Sequence, residues 1–228
     1  MNRGLVALGD SITHGHGEPM LGVHCQSWAQ WLAEALGLPF TNLAVDGARA
    51  GDVMREQVVR LAGPYDIGAL YVGVNDARDP AWNAAAYARE LEAVLAVLTE
   101  ECDVVLVCTL PEDLGRPSAA PKPATANAIV RAAAERAGAQ VVALDDFAGP
   151  AWTLPDAVHA TAAGQVEIAR RAQAVTGRAP QEPLPEADRS RGSLRGWRRR
   201  RAVLGLQELR RRLAERWRSR TGRATLPE

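Results

Sequence analysis

The chain has 228 residues, 47% hydrophobic and 24% charged, enough to bury the core of one ordinary globular domain with an appendage. That excludes a miniprotein and a multidomain assembly, and Cys25, Cys102 and Cys108, which show no paired spacing, argue against a disulfide framework or a cysteine-rich zinc site. The zero net charge hides a division: residues 1–177 carry 12 Lys and Arg against 21 Asp and Glu, residues 178–228 carry 15 against 6, so an acidic body bears a basic tail.

In chain order, short β-type runs alternate with stretches of helical periodicity, the pattern of parallel strands joined by crossover helices. The expected strands are Gly4–Leu8, Thr41–Val45, Ile67–Val72, Val104–Cys108 and Gln140–Leu144, all rich in Val, Leu and Ala. The expected helices are Ser27–Leu36, Asp52–Leu61, Ala84–Glu101, Thr125–Ala137 and Ala162–Ala174. In the third, Leu91, Val94, Leu95 and Leu98 recur at three and four and make one buried face. Asn83 is placed to cap that helix, and Gly138 to stop the next. Five such units predict a three-layer α/β/α sandwich on a five-stranded parallel sheet of flavodoxin-like order 2-1-3-4-5, with ligands at the carboxyl edge of the strands. Residues 111–124, with four prolines and no periodicity, read as a surface loop bordering that edge.

Three segments are expected: a catalytic domain over 1–177, a linker rich in Pro, Glu and Arg over 178–193, and a basic tail over 194–228. Within the tail, Val203, Leu206, Leu209, Leu213 and Trp217 form one stripe between Arg200 and Arg220, predicting a basic amphipathic helix. Such a helix suits peripheral contact with an anionic membrane face, or docking on the acidic body or a second copy of the chain; nucleic acid ranks last among its expected partners. The apolar run Leu5–Leu8 is too short for a secretory core and no later stretch reaches membrane-spanning length, so the expected location is the cytoplasm, with attachment to the inner membrane face as the variant.

The strongest local signal is Gly9-Asp10-Ser11 at the end of the first strand. It is joined by Gly47 in Asn42-Leu-Ala-Val-Asp-Gly47, by Gly73-Val-Asn75-Asp76 after the third strand, and by Asp156-Ala-Val-His159 followed by Ala-Thr-Ala-Ala-Gly164. Taken singly, Asp10 and Ser11 also fit a helix cap, Asn75 and Asp76 a strand-ending turn, and His159 a helix start.

Together these blocks resemble the SGNH, or GDSL, hydrolase family across residues 4–176. No Gly-x-Ser-x-Gly elbow occurs, so an ordinary α/β-hydrolase is not indicated. The resemblance implies a serine ester hydrolase, lipase-like, acting on a small-molecule ester through an acyl-Ser11 intermediate. A serine hydroxyl needs a base, and His159 is the only histidine beyond residue 24. Asp156 is expected to fix its tautomer. The resemblance assigns oxyanion donors to the Ser11 and Gly47 backbone N–H groups and the Asn75 amide, each worth about 3–4 kcal/mol of transition-state stabilisation. The same site would also serve an acyltransferase or acyl-thioesterase, and a non-catalytic ligand-binding or membrane-adaptor module is the alternative of another class. Asp10, Arg78, Trp82 and Trp152 are expected to contact substrate. His14, His16 and His24 with Asp10 suggest a metal site, but their spacing is not diagnostic and serine acyl transfer needs no metal, so neither metal nor cofactor is expected.

Overall fold

Leu5–Gly9 (β1) and Tyr65–Tyr71 (β3) are buried at every position, as strands with both faces covered must be. Their neighbours are Phe40–Asn42 (β2), Cys102–Cys108 (β4) and Gln140–Val142 (β5), and the sheet is parallel throughout with order β2-β1-β3-β4-β5. Register sets Leu5 opposite Phe40 on one side and Ile67 on the other. The computed structural model describes residues 3–115, 119, 121–149, 151–154, 156–186, 202 and 206.

The helices are Ser11–His14 (α1), Trp28–Ala35 (α2), Ala50–Asp52 (α3), Val74–Arg78 (α4), Ala84–Glu101 (α5), Lys122–Ala137 (α6) and Ala162–Val175 (α7). α2 packs with α7, and α5 with α6, forming layers on the two faces of the sheet. Asn83 caps α5 by accepting from the Ala86 amide at 2.9 Å, and Gly138 ends α6 at φ 69°, both as predicted. Two short helices, α1 and α4, carry too few residues to show periodicity and were not expected.

The edge strands are shorter than the sequence predicts, because side chains take over from the backbone. Asn42 Oδ1 accepts from the Ala44 amide at 3.1 Å, turning β2 early, although Leu43 and Val45 still donate to the Ala7 and Gly9 carbonyls. At β5, Thr109 Oγ1 accepts from the Leu144 amide at 2.7 Å where a ladder bond would stand. The helix expected over 52–61 is instead α3 followed by a π turn, Val53–Gln57, and a 3₁₀ turn, Val58–Arg60. The wide turn sends Gln57 inward, fully buried, where its amide brackets Gly9: Oε1 accepts the Gly9 N–H and Nε2 donates to the Gly9 carbonyl, each at 2.8 Å.

Residues 178–186 lie against the body. The Gln181 and Glu182 amides both donate to the Ala35 carbonyl, at 2.7 and 3.1 Å, and Arg178 pairs with Asp66 at 3.6 Å. The amphipathic helix expected over 200–220 lies outside the described residues save for Ala202 and Leu206, both helical, with Leu206 60% exposed. Among the described residues no helix is long and apolar enough to cross a membrane.

Replacing Gln57 by Leu keeps the volume but strips the Gly9 N–H of its buried acceptor. Urea unfolding should register a loss of about 1–3 kcal/mol, against a change within roughly 0.5 kcal/mol for the exposed control Val59→Ala; equal midpoints for the two variants would contradict the clamp.

Candidate active site

The carboxyl ends of β1, β2 and β3 and the segment before α7 meet around one cavity of about 280 Å³. Asp10, Ser11, Gly47, Asn75, Arg78 and His159 all line it. β1 delivers Ser11 as the first residue of α1, immediately after Asp10, whose buried carboxylate caps that helix by accepting from the Ile12 amide at 3.0 Å. Gly9 is required at this turn: it sits at φ 146°, and a Cβ there would run into the Tyr71 carbonyl oxygen.

Ser11 Oγ lies 2.8 Å from His159 Nε2, and His159 Nδ1 lies 2.6 Å from Asp156 Oδ2. The other Asp156 oxygen accepts from the Val158 and His159 amides, both at 3.0 Å, so the carboxylate is fixed by the turn it begins. That turn puts Ala157 in the left-handed region at φ 58°, a conformation a non-glycine residue holds only where its surroundings enforce it. The Leu154 amide donates to the His159 carbonyl at 2.8 Å, and Thr161 caps α7 by accepting from the Gly164 amide at 3.0 Å. The imidazole is thus carried on a braced loop.

Gly47 also sits in the left-handed region, at φ 76°, with nothing within 4 Å of where a Cβ would project. Among the described residues, neither the Ser11 N–H nor the Gly47 N–H donates to a backbone or side-chain acceptor. Asn75 Nδ2 donates to the Ala48 carbonyl at 3.1 Å and reaches Asp10 only at 3.5 Å.

A family model described as "GDSL-like Lipase/Acylhydrolase family" matches residues 7–166. The chain belongs to this family. Solved structures agree in fold: an α/β hydrolase enzyme from the metagenome of Lake Arreo is 22% identical, with TM-score 0.61 over 77% of this chain and 95% of that one. An acetylxylan esterase from Geobacillus stearothermophilus is 17% identical, with TM-score 0.59 over 83% of this chain and 97% of that one. The acetyl xylan esterase AlAXEase is 20% identical, with TM-score 0.60 over 75% of this chain and 99% of that one. No curated protein matches in sequence.

Within this GDSL-like chain, the electrostatics at the cavity are set by burial. Asp10 is 1% exposed, and desolvation, partly offset by the Ile12 amide, pushes its carboxyl up to about 7. The Asp156 hydrogen bond raises the His159 imidazole above its ordinary value, against the opposing effect of burial. Burial would raise Asp156, but the His159 hydrogen bond and two backbone amides outweigh it and hold the carboxyl low. Cys108 is fully buried and its thiol is pushed well up by desolvation.

Two residues expected at the substrate are elsewhere. Trp82 lines a separate cavity of about 540 Å³ with Arg49, Asp76, Tyr87 and Glu90. Trp152 stacks on Phe147 at 5.6 Å, with the Arg171 guanidinium 5.4 Å from its ring. Both are half-buried, and neither lines the cavity that holds Ser11. The metal-type grouping also differs from the sequence expectation. His24 packs on Trp31 at 4.7 Å and Asp10 faces Asn75, whereas His14 and His16 gather on Asp46. The sequence gives no sign of Asp46 as their partner, since it is brought there by β2.

For a raised imidazole and a lowered carboxyl, the signs of linkage are opposite. The His159 contribution to stability is present below pH 6.5 and lost as pH rises through its folded value; that of Asp156 is present above pH 3.8 and lost as pH falls. Titrating the imidazole carbon protons by NMR should therefore give His159 a midpoint above 6.5, and Asp156→Asn should move it down; an unmoved midpoint would show that the pair is not coupled.

Proposed function

We propose that the chain is a serine esterase that cleaves carboxylic esters with small acyl groups. The reading is carried by one juxtaposition: a hydroxyl within hydrogen-bond reach of an oriented imidazole, in a cavity lined also by Gly47, where the Ser11 and Gly47 N–H groups have no acceptor among the described residues. In that arrangement His159 Nε2 takes the Ser11 proton as Oγ attacks the ester carbonyl. Asp156, hydrogen-bonded at Nδ1, holds the ring with its acceptor nitrogen toward Ser11 and balances the charge of the imidazolium. The imidazolium then gives its proton to the departing alcohol, leaving acyl-Ser11. Water, deprotonated by the same ring, releases the acid and restores the hydroxyl.

As the carbonyl becomes tetrahedral its oxygen gains negative charge, and the Ser11 and Gly47 N–H groups supply donors that need no reorganisation. Asn75 adds a third: its long 3.5 Å contact to Asp10 leaves a hydrogen that a substrate oxygen can win, while the bond to the Ala48 carbonyl keeps the amide in place. A cavity of about 280 Å³ falls at the small end of ligand sites and favours a short acyl group such as acetyl. Acetyl esters also appear in the names of two structurally similar proteins. Arg78 lines the same cavity, which supports a contact between its guanidinium and an electron-rich part of the alcohol.

On p-nitrophenyl acetate, Ser11→Ala should abolish turnover and labelling by a fluorophosphonate probe while the far-ultraviolet circular dichroism stays unchanged. Asn75→Ala should lower kcat by about 10²–10³-fold. Wild-type turnover should climb with pH through the raised His159 midpoint, since the free base is the active form. Retained hydrolysis in the Ser11 variant would overturn the reading.

A further inference from the structure

A second constellation shares the cavity rim without entering the chemistry just described. His14 is the last residue of α1, His16 follows the Gly15 cap, and Asp46 immediately precedes Gly47. Asp46 Oδ1 lies 2.7 Å from His14 Nδ1, and Oδ2 lies 2.9 Å from His16 Nε2. One ligand atom from each residue falls within 4.8 Å of the other two. The two rings face each other at 5.2 Å with a 59° tilt. All three side chains are about half exposed, so an ion has access from solvent, and His16 and Asp46 are also walls of the cavity that holds Ser11.

We infer that His14, His16 and Asp46 form a binding site for a divalent transition-metal ion of the zinc, cobalt, nickel or copper class. Two imidazoles and one carboxylate are the donor set that such ions prefer, whereas magnesium and calcium take oxygen ligands. The required movement is small. Tetrahedral zinc with bonds of about 2.0–2.2 Å sets its ligand atoms about 3.3 Å apart. With Asp46 Oδ1 as the carboxylate ligand, its 2.7 Å contact to His14 Nδ1 opens by about half an ångström to reach that figure, and the remaining ligand-atom separations, all within 4.8 Å, adjust within the freedom of exposed side chains. The ion takes the place of the hydrogens that now bridge the contacts, each neutral ring keeping its proton on the other nitrogen. One protein carboxylate and two neutral rings leave at least one position for water or an exogenous ligand.

Bound there, an ion ties the end of α1 to the loop after β2 that carries Gly47, at the wall of the cavity that His16 and Asp46 line. The sites are adjacent but chemically separate. The Ser11, His159 and Asp156 contacts use none of the three residues, so metal binding stands or falls independently of ester hydrolysis.

The chain has four histidines, which makes the test compact. Isothermal titration of tag-free full-length protein with zinc chloride near pH 7.5 should show one saturable equivalent. His14→Ala, His16→Ala and Asp46→Asn should each weaken it by at least about tenfold, whereas His24→Ala and His159→Ala should retain it. Cobalt chloride should give a visible absorption band in wild type that Asp46→Asn loses, and unchanged thermal melts without metal would show that each variant is folded. Absence of a saturable equivalent overturns the site, as does binding that survives His16→Ala or disappears with His159→Ala.

Discussion

Ser11 stands on a turn whose backbone is gripped from two sides by buried side-chain amides, and the candidate site depends on that grip. Gln57 holds both polar groups of Gly9. Gln165, on α7 and equally buried, donates to the Ile12 carbonyl at 2.9 Å and accepts the Trp28 amide at 2.8 Å. The residues before and after Asp10-Ser11 are therefore anchored to elements on which the chemistry itself does not fall. A carboxamide suits this task because it offers a donor and an acceptor in one plane, the complement of a peptide group. Each amide is costly to bury unless both ends are met, which ties the position of the turn to the packing around it. Asn127 repeats the device at the end of β4, bracketing Leu110 with bonds of 2.7 and 2.8 Å.

Against that rigid turn, three carboxyls on the same side of the sheet have different electrostatic fates. Asp156 collects donors from His159 and two amides and stays ionised. Asp10 and Asp76 are buried with fewer donors, so desolvation dominates and lifts them to about 7 and about 6. Their linkage runs opposite to that of Asp156: each favours the folded chain most below pH 3.8 and less as pH rises through its folded value. An ionised Asp10 raises the His159 imidazole, so the proton affinity of that ring depends on a neighbour whose own carboxyl is pushed up to about 7. The division of labour follows from environment rather than from residue type.

The layers, the strand order and the crossover connections between the five parallel strands were legible because continuous apolar runs and a three-and-four repeat survive translation into a sheet and its helices. α5 occupies the predicted span Ala84–Glu101, since its cap at Asn83 and its apolar face agree. What escaped was set by side chains acting on distant backbone. Nothing local marks Gln57 as inward, because the π turn that reverses its direction depends on the space beside Gly9. Trp82 and Trp152 follow or precede signature residues by a few positions, yet proximity in sequence says little about the direction of a ring on a loop. Likewise His14 and His16 are visible as a pair, but their carboxylate partner is fixed only once β2 lies beside β1.

The contacts that align the three loop ends form a closed circuit, and this explains how short loops maintain a three-part geometry. Starting at Gly9, the path crosses to Gln57 and runs back through the π turn to α3, whose first residue, Ala50, directs its amide at the Asp76 carboxylate at 3.3–3.4 Å. Asp76 adjoins Asn75 on α4, and Asn75 reaches both Ala48, next to Gly47, and Asp10, next to Ser11. Displacing any one loop therefore strains a bond on another, so Ser11, Gly47 and Asn75 belong to one connected network. The longest links, Ala50 to Asp76 and Asn75 to Asp10, are also the weakest by geometry. The long links thus lie together on the Asn75 and Asp76 side of the circuit, while the Gly9 and Ile12 anchors stay short.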